Sequence, residues 1–268
     1  MEMNRDKTKL SIDLNLVREK SPLVHNITNF VVMNNTANAL LAIGASPVMA
    51  HAIEEVEDMV AIASSLVINM GTLSEKWVES MVLAGKAALK KGIPVVFDPV
   101  GAGATPYRNR VAASIVSVCK PSIIRGNASE IMTLAKENAS TKGVDSTVSS
   151  DSALDAAVRL AQETGAIVVI SGKEDFITNG KIVRSVKNGS ALMAKVTGMG
   201  CTSSAIVGAF AAVNADLLDA AVHAMAVMGV AGELAAQKAE GPGTMQLYFL
   251  DALYNLTPEL LSQRAQIG

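Results

Sequence analysis

Thr197-Gly-Met-Gly-Cys201 stands immediately before a helical stretch, where successive glycines expose backbone N–H groups and a helix N-terminus adds positive potential. Such a turn can hold an anion, including the charge that develops on a transferring phosphoryl group, with Cys201 at the first turn of the same helix. The same residues would also serve a plain tight turn. Asp98-Pro-Val-Gly-Ala-Gly103 follows an apolar run, at the kind of strand end where open α/β sheets bind ligands. In Arg125-Gly-Asn-Ala-Ser-Glu130 a guanidinium could reach phosphate oxygens and Glu130 could hold magnesium through water. The Asn127 to Glu130 spacing equally suits a helix capping box. Ser171-Gly-Lys-Glu-Asp175 offers hydroxyl and backbone contacts to a nucleotide, or simply a turn into the next strand.

Other patterns fail on inspection. Gly198-Met-Gly-Cys-Thr-Ser203 approaches a dinucleotide fingerprint, but it ends in serine and its candidate acids, Asp216 and Asp219, fall in a helical run instead of at the next strand end. Lys86, Lys173 and Lys181 follow glycine yet precede Ala, Glu and Ile, so no P-loop exists. His25, His51 and His223 lack metal-ligand spacing, and Met225 with Met228 reads as helix packing.

Short β-branched runs must position these groups. Leu66 to Met70, Ile93 to Phe97, Ser122 to Arg125 and Ala166 to Ile170 read as buried strands, with a weaker one at Pro47 to Ala50. Helical stretches around Ser74 to Lys91, Tyr107 to Val118, Asn127 to Asn138 and Asp151 to Glu163 separate them, the first opened by a capping box at Thr72-Leu-Ser-Glu75. This α/β rhythm predicts a mostly parallel central sheet with helices on both faces. Phe176 to Val183, turning at Asn179-Gly180, predicts a hairpin and antiparallel strands toward one edge. Cys201 to Lys238 is Ala-rich and predicts two long helices broken near Asn214, the most buried helical layer, with shorter helices after Gly243. Lys136 to Ser150 reads as an exposed connection, and without a hinge-like linker or repeat the expectation is one domain over 1–268.

The 23 Lys+Arg against 25 Asp+Glu give a net charge of −2, which argues against a nucleic-acid or polybasic membrane partner. At 3% aromatic, base-stacking platforms are not expected either. A mean hydropathy of +0.32 invites a membrane reading. The stretches free of Asp, Glu, Lys and Arg, Ser21 to Ile53 and Val196 to Ala215, carry too many Asn, Gly, Ser and Thr for hydrocarbon, so they should be buried in protein or line a site. The N-terminus lacks a secretory pattern, and Cys119 and Cys201 cannot build a disulfide framework or a four-ligand zinc site, which points to the cytosol.

Taken in order, Ser21-Pro-Leu-Val-His-Asn-Ile-Thr-Asn29, Gly44-Ala-Ser-Pro-Val-Met49, Asn69-Met-Gly-Thr-Leu73, Asp98 to Thr105, Ile124 to Glu130 and Thr197 to Cys201 resemble hydroxyethylthiazole kinases nearly end to end. The resemblance implies a ribokinase-like three-layer α/β sandwich. It implies ATP-dependent phosphorylation of the primary alcohol of 4-methyl-5-(2-hydroxyethyl)thiazole in thiamine salvage, with Mg2+, in a cytoplasmic homotrimer whose active sites lie between subunits. Position by position, it implies that Met49 binds the alcohol through its amide with Asn29 nearby and Gly198 giving a second contact. Arg125 and Ser171 match nucleotide-binding positions, and Asp98 and Glu130 match acidic positions near magnesium. Gly198, Gly200 and Cys201 match the anion hole. Most ribokinase-like enzymes carry aspartate where Cys201 stands, so the thiol is expected to position or deprotonate the alcohol. Competing readings are a hydroxymethylpyrimidine kinase, a nicotinamide-dependent oxidoreductase and a non-catalytic nucleotide-binding regulator.

Overall fold

The computed structural model describes residues 2–141 and 153–268. In chain order these form α1 (Glu2–Lys20), β1 (Leu23–Ile27), α2 (Met33–Ile43), β2 (Ser46–Val48), α3 (Val56–Ile62), β3 (Ser65–Asn69), α4 (Glu75–Lys91) and β4 (Val95–Asp98). There follow α5 (Pro106–Cys119), β5 (Ile123–Asn127), α6 (Ala128–Thr141), α7 (Ala153–Thr164), β6 (Ile167–Ser171), β7 (Asp175–Thr178) and β8 (Val183–Val186). A 3-10 turn over Ala191–Lys195 leads into α8 (Met199–Ala211), α9 (Leu217–Ala236), α10 (Pro242–Asn255) and α11 (Pro258–Arg264).

The strands make one sheet in the order β2-β1-β3-β4-β5-β6-β7-β8. Strands β1 to β6 pair in parallel and β7 and β8 are antiparallel, as the apolar runs and the Asn179-Gly180 turn predict. Alternation along the parallel strands sorts the core into two layers. Val24, Val67, Val96, Ile123, Ile167 and Val169 face α1, α2 and α8 to α11. Ile27, Leu66, Ile68, Val95, Phe97, Ile124, Val168 and Ile170 face α3 to α7. The three-layer sandwich is therefore written in strand parity. That parity also sends the last residues of three parallel strands and Arg125 of a fourth, Asn69, Asp98, Arg125 and Ser171, toward the α8 layer.

Helix α9 is apolar enough to cross a membrane by composition alone, but 83% of its most apolar window is buried in the core beside α8 and α10.

Several sequence expectations need correction. The N-cap of α4 is Ser74, whose hydroxyl accepts the Trp77 N–H at 3.4 Å, while Thr72 Oγ1 accepts the Phe30 N–H at 3.3 Å. Thr72 and Glu75 have the capping spacing, but the chain enters the helix two residues later. Helix α6 continues through Thr141, so the expected connection is helical from Lys136 to Thr141, and 142–152 lie outside the described residues. Strand β1 and helices α1, α2 and α3 were not predicted.

Candidate functional site

Strand order reverses at β1, which has β2 on one side and β3 on the other, and a crevice beyond the carboxyl ends of such strands is where open α/β sheets bind ligands. The N-terminus of α8 lies over this place. Its N-cap is Gly198, at φ +83°, with no side chain to cap the first turn. By contrast α4, α5, α9 and α11 begin with Ser74, Thr105, Asp216 and Thr257, whose oxygens accept first-turn N–H groups. An uncapped helix start aimed at a site leaves its N–H groups for an anionic ligand. A Cβ on Gly198 would sit 2.7 Å from Val32 Cγ1, so the turn is closely packed as well as left-handed.

On one side of that turn is a chain of amides. Asn29 Nδ2 donates to Cys201 Sγ at 3.5 Å and to Asn69 Oδ1 at 2.8 Å. Asn69 Nδ2 donates to Asp98 Oδ2 at 2.8 Å, and Ser204 of α8 donates to the same oxygen at 2.8 Å. Burial pushes the Asp98 carboxyl up to about 6, against the charge of Arg125 and these hydrogen bonds, with Glu130 adding a further push upward. Burial, and next the charge of Asp98, pushes the Cys201 thiol up to about 11, although Asn69, Asn29 and Arg125 oppose it. The positive helix end therefore does not make Cys201 a thiolate at neutral pH.

On the other side, Arg125 Nη2 donates to Ser171 Oγ at 2.6 Å, and a Cβ on Gly200 would sit 2.8 Å from Arg125 Nη1. These residues open into a cleft of about 700 Å3 that Lys173, Lys187, Met225 and Met228 also line, so the methionine pair both packs and faces the cleft. The Asn127 and Glu130 pair closes reciprocally: Glu130 Oε2 accepts the Asn127 N–H at 2.9 Å and Asn127 Oδ1 accepts the Glu130 N–H at 3.0 Å. Glu130 Oε1 accepts the Gly101 N–H at 2.9 Å, so the same carboxylate ties the β4 loop to the start of α6.

Met49 lies one strand further out, just past β2. Its neighbour is anchored by His25, whose Nε2 donates to Ala50 O at 2.8 Å. Burial pushes that imidazole down, opposed by the bond to Ala50 O and the charge of Glu55.

The sequence pattern of the Hydroxyethylthiazole kinase family matches residues 14–259. The chain belongs to that family. It is 59% identical over 252 residues to a hydroxyethylthiazole kinase of Leptospira biflexa serovar Patoc, covering 94% of each chain. Its fold matches the solved hydroxyethylthiazole kinase of Pyrococcus horikoshii OT3 with a TM-score of 0.90 at 41% identity, over 97% of this chain and 98% of that one. A ribokinase-like superfamily protein of Enterococcus faecalis shares the fold at a TM-score of 0.62 and 13% identity, over 88% of this chain and 87% of that one. The family and the ribokinase-like sandwich read from the ordered motifs are both borne out.

For this hydroxyethylthiazole kinase-family chain, sequence reasoning left several site neighbours without a role. Asn69 and Ser204 hold Asp98. Arg108 donates to Met70 O, Val100 O and Gly71 O at 2.6, 2.7 and 2.8 Å and so binds together the loops after β3 and β4. Strand parity could have found Asn69, since it ends its run in the same phase as Asp98, and Ser204 lies one turn beyond Cys201. Nothing local marks Arg108, whose partners are backbone carbonyls brought to it by the fold.

Proposed function

We propose that this chain transfers the terminal phosphoryl group of ATP to the primary alcohol of 4-methyl-5-(2-hydroxyethyl)thiazole, a salvage step toward thiamine. The observation that carries the reading is the uncapped α8 turn, with the Asn29–Cys201 pair on one side and the Arg125–Ser171 pair at the mouth of the cleft on the other. An alcohol oxygen attacks the γ-phosphorus, the bond to the leaving ADP oxygen breaks, and the alcohol proton ends in solvent. Little covalent chemistry falls to the protein in such a transfer, so alignment and charge neutralisation dominate.

In this reading Met49, through its backbone amide, Asn29 and Gly198 orient the alcohol. Cys201, protonated at neutral pH, acts as a positioning group and not as a base. Arg125 and Ser171 hold phosphate oxygens, and the Gly198 to Cys201 N–H groups face the charge that builds on the transferring group.

Asp98 and Glu130 are the acids that would hold Mg2+. Among the described residues no cluster of three or more His, Cys, Asp or Glu could cage a metal. That fits magnesium, which keeps several waters and is commonly bound by one or two carboxylates together with substrate phosphates. Both Glu130 oxygens already accept N–H bonds, which supports contact through water. When bound, the ion would neutralise charge between the phosphates. Exposed Phe30 and Val31, at 66% and 64% beside Asn29, support a subunit boundary at the alcohol side, and the trimer itself rests on the family resemblance.

The deciding assay is alcohol-dependent ADP formation with ATP, magnesium and hydroxyethylthiazole, with the product identified by mass and hydroxymethylpyrimidine run in parallel. Thiazole phosphate is the expected product. Turnover of the pyrimidine alone moves the chain to a neighbouring kinase activity, and ATP binding with neither alcohol phosphorylated refutes the reading. Sedimentation velocity tests the trimer.

A further inference from the structure

Asn69 has no role in the reaction as described, yet its side chain joins the Asn29 loop, the turn after β3 and Asp98. It is 1% exposed at the carboxyl end of β3. Its Oδ1 accepts from Asn29 Nδ2 at 2.8 Å and from the Gly71 N–H at 3.0 Å, and its Nδ2 donates to Asp98 Oδ2 at 2.8 Å. A backbone N–H can only donate, so the Gly71 bond fixes which end of the amide is oxygen. The nitrogen must then face the carboxylate.

We propose that Asn69 is a positioning residue whose amide sets the rotamer of Asn29, and through it the place of the Cys201 thiol, relative to Asp98. The inference rests on the phosphoryl-transfer reading above. Asn29 lies beyond the end of β1, where no strand ladder holds its side chain. Its Oδ1 accepts the Val31 N–H at 3.1 Å, and its Nδ2 is held by Asn69 Oδ1 against the bare backbone of Gly71, where an added Cβ would fall 2.5 Å from that nitrogen. On the far side, Asn69 and Asp98 are register partners across β3 and β4, so their separation is set by the sheet itself.

Holding the strands together does not need this amide. Strands β1, β3 and β4 are already joined by their ladders and by two apolar layers. What the amide adds is the angular setting of one loop side chain against one strand-end acid. A group that acts this way affects the rate of the aligned complex more than nucleotide binding, because Arg125 and Ser171 stand on β5 and β6, beyond β4.

The test uses the purified full-length chain with Asn69→Ala, Asn29→Ala and the double variant, assayed for thiazole phosphate formation with folding checked by thermal melting. Asn69→Ala is expected to lower kcat about 100-fold, the scale of a small misplacement of reacting groups, with the KM for ATP unchanged within about twofold. Because Asn69 acts through Asn29, the double variant should fall no more than about threefold below the slower single variant. A melted-in-one-step Asn69→Ala protein with kcat within about threefold of wild type overturns the inference, as does a double variant whose loss is the product of the two single losses. An effect confined to the KM for ATP also overturns it. Should Asn69→Ala not fold, Asn69→Leu keeps the volume and branching while removing both the acceptor toward Asn29 and Gly71 and the donor toward Asp98. It is expected to lose at least about 30-fold in kcat, and near-wild-type turnover counts against the role. Wild-type protein that phosphorylates no alcohol overturns the reaction itself and this inference with it. Failure of the variants alone overturns only the inference.

Discussion

Asp98→Asn should make the nucleotide-free protein more stable while nearly abolishing turnover. The asparagine keeps an oxygen for the two donors at 2.8 Å, Asn69 Nδ2 and Ser204 Oγ, so the local hydrogen bonding survives. What it removes is a fully buried charge. Raising the Asp98 carboxyl from the ordinary 3.8 to about 6 means that the folded protein binds this proton more tightly than the unfolded chain does. Below pH 4 both states carry the proton and the group costs nothing. Above pH 6 both have lost it and the cost is complete, on the order of 3 kcal/mol, so its contribution to stability falls as pH rises through that window. At roughly 2 °C per kcal/mol for a chain of this size, the variant should melt about 6 °C above wild type at pH 8, with the difference shrinking to about 2 °C at pH 4.5, where the unfolded chain has still lost most of this proton. Calorimetry or dye-monitored melting of both proteins between pH 4.5 and 8 measures it, and differencing the two removes the other carboxyls, including Asp175, which burial also raises to about 6. Turnover with ATP, magnesium and alcohol should fall at least about 100-fold. A variant that melts below wild type at pH 8, or a difference that does not grow with pH, refutes the account of Asp98 as a charge held at a cost for function.

Three further outcomes are expected. Cys201→Ser should retain kcat within about tenfold at every pH from 6 to 9, because a thiol pushed up to about 11 is no base there; a loss of about 100-fold or more, the scale of general-base removal, restores the proton-acceptor role. Arg125→Lys cannot reproduce the guanidinium bond to Ser171 at 2.6 Å and should raise the KM for ATP at least about tenfold, an unchanged KM counting against nucleotide binding by this residue. Gly200→Ala should hold or slightly raise the melting temperature, since alanine favours a helix, while cutting turnover at least about tenfold by pressing its Cβ on Arg125 Nη1 at 2.8 Å; full activity would show that the guanidinium has room to move.

The groups easiest to read in the sequence were those that local physics marks. The β5 and β6 runs, Ser122 to Arg125 and Ala166 to Ile170, are rich in β-branched residues, and one ends in Arg125 while the other is followed by Ser171, so strand and site residue are announced together. The turn at Gly198 and Gly200 is legible because two glycines one residue apart at a helix start bare its first N–H groups and, at Gly198, take the left-handed backbone conformation. Strand β1 was missed because Leu-Val-His-Asn-Ile sits among asparagines, and only burial between β2 and β3 makes His25 and Asn26 acceptable there. Helix α1 was missed because its charged residues hide the spacing of Leu10, Leu14 and Val17, which pack on the same core as α8. The direction in which Cys201 is shifted was also out of reach. A helix start suggests a lowered thiol, and only the burial of the site and the nearby Asp98 reverse it.

The order β2-β1-β3-β4-β5-β6 turns the sheet into a graduated scale for the proposed reaction. Adjacent strands lie about 4.8 Å apart, so three steps separate the strand leading to Asn29 from the strand bearing Arg125, roughly 14 Å along one edge. On such a scale a kinetic constant becomes a coordinate: substitutions after β2 report in the KM for the alcohol, those after β1 and ending β3 and β4 in kcat, and those on β5 and β6 in the KM for ATP. Change in alcohol preference can therefore accumulate at one end of the sheet without touching the nucleotide end, because no strand carries both duties.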